Sequence, residues 1–177
     1  MNSKTLFFKS LIGLFLVLVI ASGSFAAENG QVVDEFFPEG LVDAEQRYVD
    51  TANLHGKIFA LYFSASWCRG CAAFSRILVP FRDRHHENFE VVMLGFDNSA
   101  EDMFAYMKNY SMLWPAVAWE SPIRTALKEK FAVSEIPKLI VVAPNGQVIT
   151  TDGYKQIEHM GDAALDNWLK VSGLPAK

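Results

Sequence analysis

Cysteine is scarce in this chain: two in 177 residues, Cys68 and Cys71. A pair this close cannot staple distant segments, so the sequence is not a disulfide scaffold and its core must hold by burial alone. No cysteine follows the N-terminal apolar run, which excludes a lipid anchor on a mature N-terminal cysteine. Concentrated charge of one sign is missing too. The 16 Lys and Arg against 20 Asp and Glu give a formal net charge of −4, and the basic residues are scattered. That argues against nucleic acid and anionic membrane surfaces as partners. The one basic cluster, Arg82, Arg84, His85 and His86, falls at the expected end of a helix, where cations complement the dipole. Internal repeats and low-complexity tracts are absent.

The N-terminus has its own pattern. Lys4 and Lys9 lead into an apolar run over 11–20, and Ser24 and Ala26 supply small residues at −3 and −1 of a cleavage site. This is the layout of a secretory signal peptide. An uncleaved membrane anchor is the alternative, although the run falls short of the ~20 residues a span needs. Cleavage leaves 14 basic against 20 acidic residues. The expected organisation is a signal peptide over 1–26, a leader over 27–40 ending in Pro38-Glu39-Gly40, and one domain over 41–177. An exported chain with a single reactive pair points to a periplasm.

Beyond the leader, Leu41, Ala44, Tyr48 and Ala52 stand at helical spacing and predict a helix over 41–53, closed by His55-Gly56. Residues 57–63 and 89–96 are apolar almost throughout, as strands covered on both faces are. Between them a helix is expected over 68–85, kinked at Pro80. Ser99 caps a helix over 99–110, the stretch 111–120 reads as irregular, and a short helix follows over 122–131. Residues 138–143 and 147–151 flank Pro144-Asn145-Gly146 as a β-hairpin, and a last helix spans 161–170. The alternation predicts an α/β fold whose central sheet is mixed and flanked by helices on both faces. Tyr62, Phe63, Phe74, Phe81, Val91, Val92, Leu94, Phe131, Leu139, Ile140 and Val141 are the expected core.

Trp67-Cys68-Arg69-Gly70-Cys71 lies at a strand-to-helix junction. That places Cys68 at a helix N-terminus, where free N–H groups and the positive dipole end favour thiolate. Such settings lower a cysteine pKa from ~8.5 to between ~3.5 and ~7.5. Cys68 is the expected nucleophile and Cys71, one turn on, the resolving thiol. A structural disulfide is the bland reading, but a loop this short constrains little of the unfolded chain. Metal binding is the other. A zinc site wants four ligands, and His55, His85, His86 and His159 show no recognisable spacing. Arg69 adds a cation beside Cys68 and favours thiolate. Gly70 removes a side chain from the first turn, opening room for a partner's backbone.

The run Tyr62-Phe63-Ser64-Ala65-Ser66-Trp67-Cys68, Phe89-Glu90-Val91-Val92 with Phe96-Asp97, and Lys130-Phe131-Ala132-Val133 with Ile136-Pro137-Lys138-Leu139 resemble the thioredoxin-like fold family, within it the tryparedoxin and nucleoredoxin-like group. The resemblance covers residues 55–152. It implies a thiol–disulfide oxidoreductase that needs no cofactor and no metal and takes protein thiols and disulfides as partners. It further implies Trp67 as a flat apolar wall beside Cys68, and a cis Pro137 facing the cysteines with Ile136 free to pair with substrate. Two departures stand out. Arg69-Gly70 replaces the group's usual Pro-Pro. Tyr62 occupies the position where thioredoxin itself has a buried Asp, so no carboxylate is there to take the Cys71 proton. The expected protein is a monomer and leans to disulfide reductase, which in an oxidising compartment requires a membrane electron donor. A copper- or zinc-binding module on the same fold is the competing reading. Peroxidases share the fold but place their reactive cysteine differently.

Overall fold

A computed structural model describes residues 32–175; the expected signal peptide and the first residues of the leader lie outside them. The central sheet has four strands in the order β4-β3-β5-β6: β3 is Ile58–Ser64, β4 Phe89–Gly95, β5 Lys138–Val142 and β6 Val148–Thr150. β3 and β4 are parallel, β5 runs antiparallel to β3, and β6 returns antiparallel to β5. The mixed sheet flanked by helices is therefore as expected. Every residue of β3 and β4 is buried, which is why these runs carry no polar alternation. Even-numbered residues of β3, Ile58, Ala60 and Tyr62, face one cluster with Phe74, Leu78, Phe81 and Trp168. Odd-numbered Phe59, Leu61 and Phe63 face a second cluster with Leu127, Val133 and Ile140.

The helices are α2 (Arg69–His85), α3 (Ala100–Asn109), α4 (Ile123–Lys130), α5 (Gly153–Met160) and α6 (Ala163–Ser172), preceded by a helical segment over the described residues 32–36, α1. Pro80 sits inside α2, where the sequence places it. Ser99 caps α3 by accepting from the Asp102 N–H. The hairpin closes at Gly146, which takes φ +83°, and Asn145 Oδ1 accepts from the Gln147 N–H at 3.0 Å. Ten of the expected core residues are buried; Phe131 is partly buried and packs against the second cluster.

Three readings need correction. The helix expected over 41–53 is instead two short paired strands, β1 (Leu41–Val42) and β2 (Tyr48–Val49), followed by a 3-10 turn at Thr51–Leu54. Asp43 accepts from the Glu45 and Arg47 N–H groups and Gln46 takes φ +63°, so a local turn wins over the helix. The stretch 111–120 is irregular, as expected, with isolated bridges at Ala116. Ala116 bridges both Val42 and Met93 and so covers the outer edge of β4. α5 has no counterpart in the expected elements, because it opens on glycine. A Cβ at Gly153 would stand 2.7 Å from Val141 Cγ2, so only glycine lets α5 start against β5. Gly161, at φ +55°, then ends α5 rather than opening the last helix.

The end of the expected leader also differs. Val33, Phe36 and Phe37 are buried, and Phe36 and Phe37 set their rings 5.3 and 6.0 Å from Phe59. Their spacing within a polar stretch hid an apolar face only five residues long. Phe37→Ala should cost about 3 kcal/mol in chemical denaturation if this packing is part of the core. A detached leader would move stability by less than about 0.5 kcal/mol.

Candidate active site

The C-terminal end of β3 hands the chain to α2 through Ala65-Ser66-Trp67, and Cys68 is the residue that starts the helix. Cys68 has extended backbone (φ −86°, ψ 110°), and its sulfur accepts the Cys71 N–H at 3.1 Å. The expected nucleophile is thus also the helix cap. A charge on this sulfur would face the N–H it accepts, one of those without a partner inside the helix, and the positive end of a 17-residue helix. Cys68 and Cys71 are joined as a disulfide with Cα atoms 5.2 Å apart. Cys68 is half-buried and Cys71 fully buried, so only the first sulfur can meet a partner.

The turn that presents Cys68 is held from the next strand. Asp97, just past β4, accepts the Ser66 N–H through Oδ1 at 2.7 Å. Trp67 Nε1 donates to the Phe96 carbonyl at 3.1 Å, which leaves the indole 59 % exposed as a wall beside the site. Asp97 is itself buried, and its Oδ2 has no hydrogen-bond partner. Arg124 of α4 supplies compensating charge. Its Nη1 donates to the Gly95 carbonyl at 2.7 Å, and its guanidinium lies 3.9 Å from the centre of the Trp119 ring. Burial pulls the Arg124 pKa below its ordinary value, opposed by Glu120 and Asp97.

The loop before β5 closes the site from the other side. The Ile136–Pro137 peptide bond is cis. Cys68 Sγ lies 3.7 Å from the Ile136 carbonyl oxygen. A Cβ on Gly70 would stand 3.2 Å from Pro137 Cδ, so glycine lets this loop press on the first turn of α2. Beside the sulfur runs a groove of about 170 Å³, lined by Trp67, Phe96, Lys128, Val133, Ser134, Glu135 and Ile136. The structure therefore gathers Trp67, Cys68, Gly70, Cys71, Ile136 and Pro137 at one end of the sheet. Arg69 is exposed at the start of α2, next to Cys68 in the chain.

Sequence reasoning missed two contributors. In the sequence Asp97 stands out only as part of the Phe96-Asp97 pair, and a polar residue after an apolar strand ordinarily signals a loop. Arg124 gives no local signal, because its place depends on how α4 docks. The described residues hold no group of three or more His, Cys, Asp or Glu able to bind a metal ion, so the metal-binding alternative finds no donor set.

This arrangement of helix-capping cysteine, buried partner and cis-proline loop has relatives among known proteins. The family model described as Thioredoxin-like matches residues 56–148. A tryparedoxin of Trypanosoma brucei brucei is 35 % identical over 124 residues, 68 % of this chain and 85 % of that protein. A probable nucleoredoxin 2 of rice, Oryza sativa subsp. japonica, is 33 % identical over 145 residues, 79 % of this chain. The chain spans only about a third of the rice protein, 36 % of its length. Among solved structures, tryparedoxin II of C. fasciculata superposes with a TM-score of 0.70 at 33 % identity, over 76 % of this chain and 91 % of that one. With its Cys68–Cys71 pair, the chain belongs to the thioredoxin-like family of oxidoreductases, together with the tryparedoxins and nucleoredoxins.

Proposed function

We propose that this protein is an exported thiol–disulfide oxidoreductase that exchanges the Cys68–Cys71 pair with disulfides of other proteins, working as a reductase. The observation that carries the chemistry is the Cys68 sulfur accepting the Cys71 N–H at the start of α2. In the reduced protein Cys68 thiolate attacks a substrate disulfide. One substrate sulfur leaves as thiolate and a mixed disulfide forms on Cys68. Cys71 then attacks the Cys68 sulfur, the second substrate sulfur leaves, and the intramolecular disulfide is restored. Two electrons pass to the substrate. Reversal of the same steps oxidises a dithiol.

Protein substrates suit the open groove between Trp67 and Ile136, where an extended segment can lie across exposed apolar surface. The Ile136 backbone, beside a proline that has no N–H, can pair with such a segment. Work as a reductase outside the cytoplasm requires an electron donor at the membrane, and a monomer suffices for every step above. Export rests on the N-terminal pattern of Lys4, Lys9, the apolar run over 11–20 and Ala26.

Cys71→Ala should arrest the exchange at the first step. Mixed disulfides through Cys68 should accumulate in cells and disappear in the Cys68→Ser, Cys71→Ala double variant; recovery of no adducts would sink the proposal. The export reading has its own check in the intact mass of the protein from its native compartment. Cleavage after Ala26 should give a chain that begins at Ala27, whereas a retained anchor would leave the full mass in the membrane fraction.

A further inference from the structure

Beneath Cys71 lies a chain of four buried hydroxyls. Tyr62 Oη lies 3.1 Å from the Cys71 carbonyl oxygen and 3.0 Å from Ser75 Oγ. Ser75 Oγ is 2.7 Å from Tyr106 Oη, which is 3.3 Å from Ser64 Oγ. All four residues are buried. Four hydroxyls bring four protons to four hydrogen bonds, and the Cys71 carbonyl at one end has no proton to give. One arrangement satisfies every bond: Ser64 donates to Tyr106, Tyr106 to Ser75, Ser75 to Tyr62, and Tyr62 to Cys71. Each O–H dipole therefore has its positive end toward Cys71. Aligned hydrogen bonds polarise one another in a low-dielectric interior. Burial raises the Tyr62 phenol far above its ordinary pKa, so it stays a donor and cannot serve as a base.

We propose that this aligned hydroxyl chain is a positioning device for the resolving cysteine: it acts through the Cys71 main-chain carbonyl, turning the positive ends of its dipoles toward the buried first turn of α2 and so lowering the cost of the Cys71 thiolate. It rests on the thiol-exchange reading above. Tyr62 stands where thioredoxin has a buried Asp, so the Cys71 proton leaves to water or to the departing substrate thiolate. The Cys71 thiolate then attacks Cys68, the Cys68–substrate bond breaks with its electron pair on the substrate sulfur, and the Cys68–Cys71 bond forms. Other titratable groups stand on the elements around this end of α2, among them Lys128 of α4 and Glu135 of the loop before β5, which line the groove with Trp67 and Ile136. Arg69 is exposed on the same helix. Lys138 of β5 is ion-paired with Asp152 at 3.5 Å. Tyr154 of α5 meets the Phe74 ring and interacts with Glu158. Asp97 is bound to the Ser66 N–H.

Cys68→Ser leaves Cys71 as the single thiol, and the 13C shift of its Cβ followed against pH reads its pKa. Tyr62→Phe removes the terminal donor, and Tyr106→Phe breaks the chain two positions further out, beyond Ser75. In that background Tyr62→Phe should raise the Cys71 pKa by ~0.5–1 unit, and Tyr106→Phe should raise it by less. In the two-cysteine protein, Tyr62→Phe should slow resolution of a mixed disulfide about three- to tenfold at neutral pH and Tyr106→Phe by less, both with recovery at high pH where the thiolate is complete. Ser75→Ala, which breaks the middle link, serves if Tyr62→Phe does not fold. An unchanged Cys71 pKa in folded variants, or slowing that persists at high pH, overturns the proposal and leaves a packing role. Failure of the unaltered protein to exchange any disulfide overturns the redox reading itself, whatever the pKa series shows.

Discussion

β3 is buried on both faces along all seven of its residues, pinned between a parallel β4 and an antiparallel β5. A shift of one residue would send Tyr62 into the wrong cluster and Phe63 into the other, so register is set by packing on both sides. The strand ends where its neighbours end, and the chain must turn at once into α2. That obligation puts Cys68 at the helix cap and Cys71 under the first turn. The Cys68 sulfur is half-exposed because the sheet stops; the Cys71 sulfur is buried because the helix packs back over it.

The site is held by few polar contacts, each tied to the sheet. Asp97 and Phe96 extend from β4 and grip Ser66 and Trp67. Arg124 grips Gly95 at the end of the same strand. Gly70 lets the Pro137 loop approach the first turn of α2, on the continuation of β5. Each of these groups is placed by a different element, and they converge because β3 lies between β4 and β5. The group these contacts place beside the Cys68 sulfur is the start of α2, whose Cys71 N–H it accepts, a setting that favours thiolate without a neighbouring base.

How much of this the sequence reveals depends on where the physical signal is local. The two apolar strands, the hairpin turn and the Cys-x-x-Cys at a helix start are local patterns, and each is found where it was read. The 41–53 segment misleads because Leu41, Ala44, Tyr48 and Ala52 mimic helical spacing while Asp43 caps a turn. Tyr48 is 72 % exposed, so that spacing never described a buried face. Gly153 hides α5 because its need for glycine comes from Val141 on another element. Tyr62 was legible as a missing carboxylate, but its partners Ser75 and Tyr106 were not, since they reach it from α2 and α3.

The account stands or falls on whether Cys68 and Cys71 form a reversible couple. The direct measurement is their reduction potential, from equilibration with dithiothreitol or glutathione buffers and quantitation of free thiol. The expected result is a single two-electron transition near ~−270 mV, as in thioredoxin, abolished when either cysteine becomes serine. A pair that shows no two-electron transition anywhere in the accessible range would contradict the account.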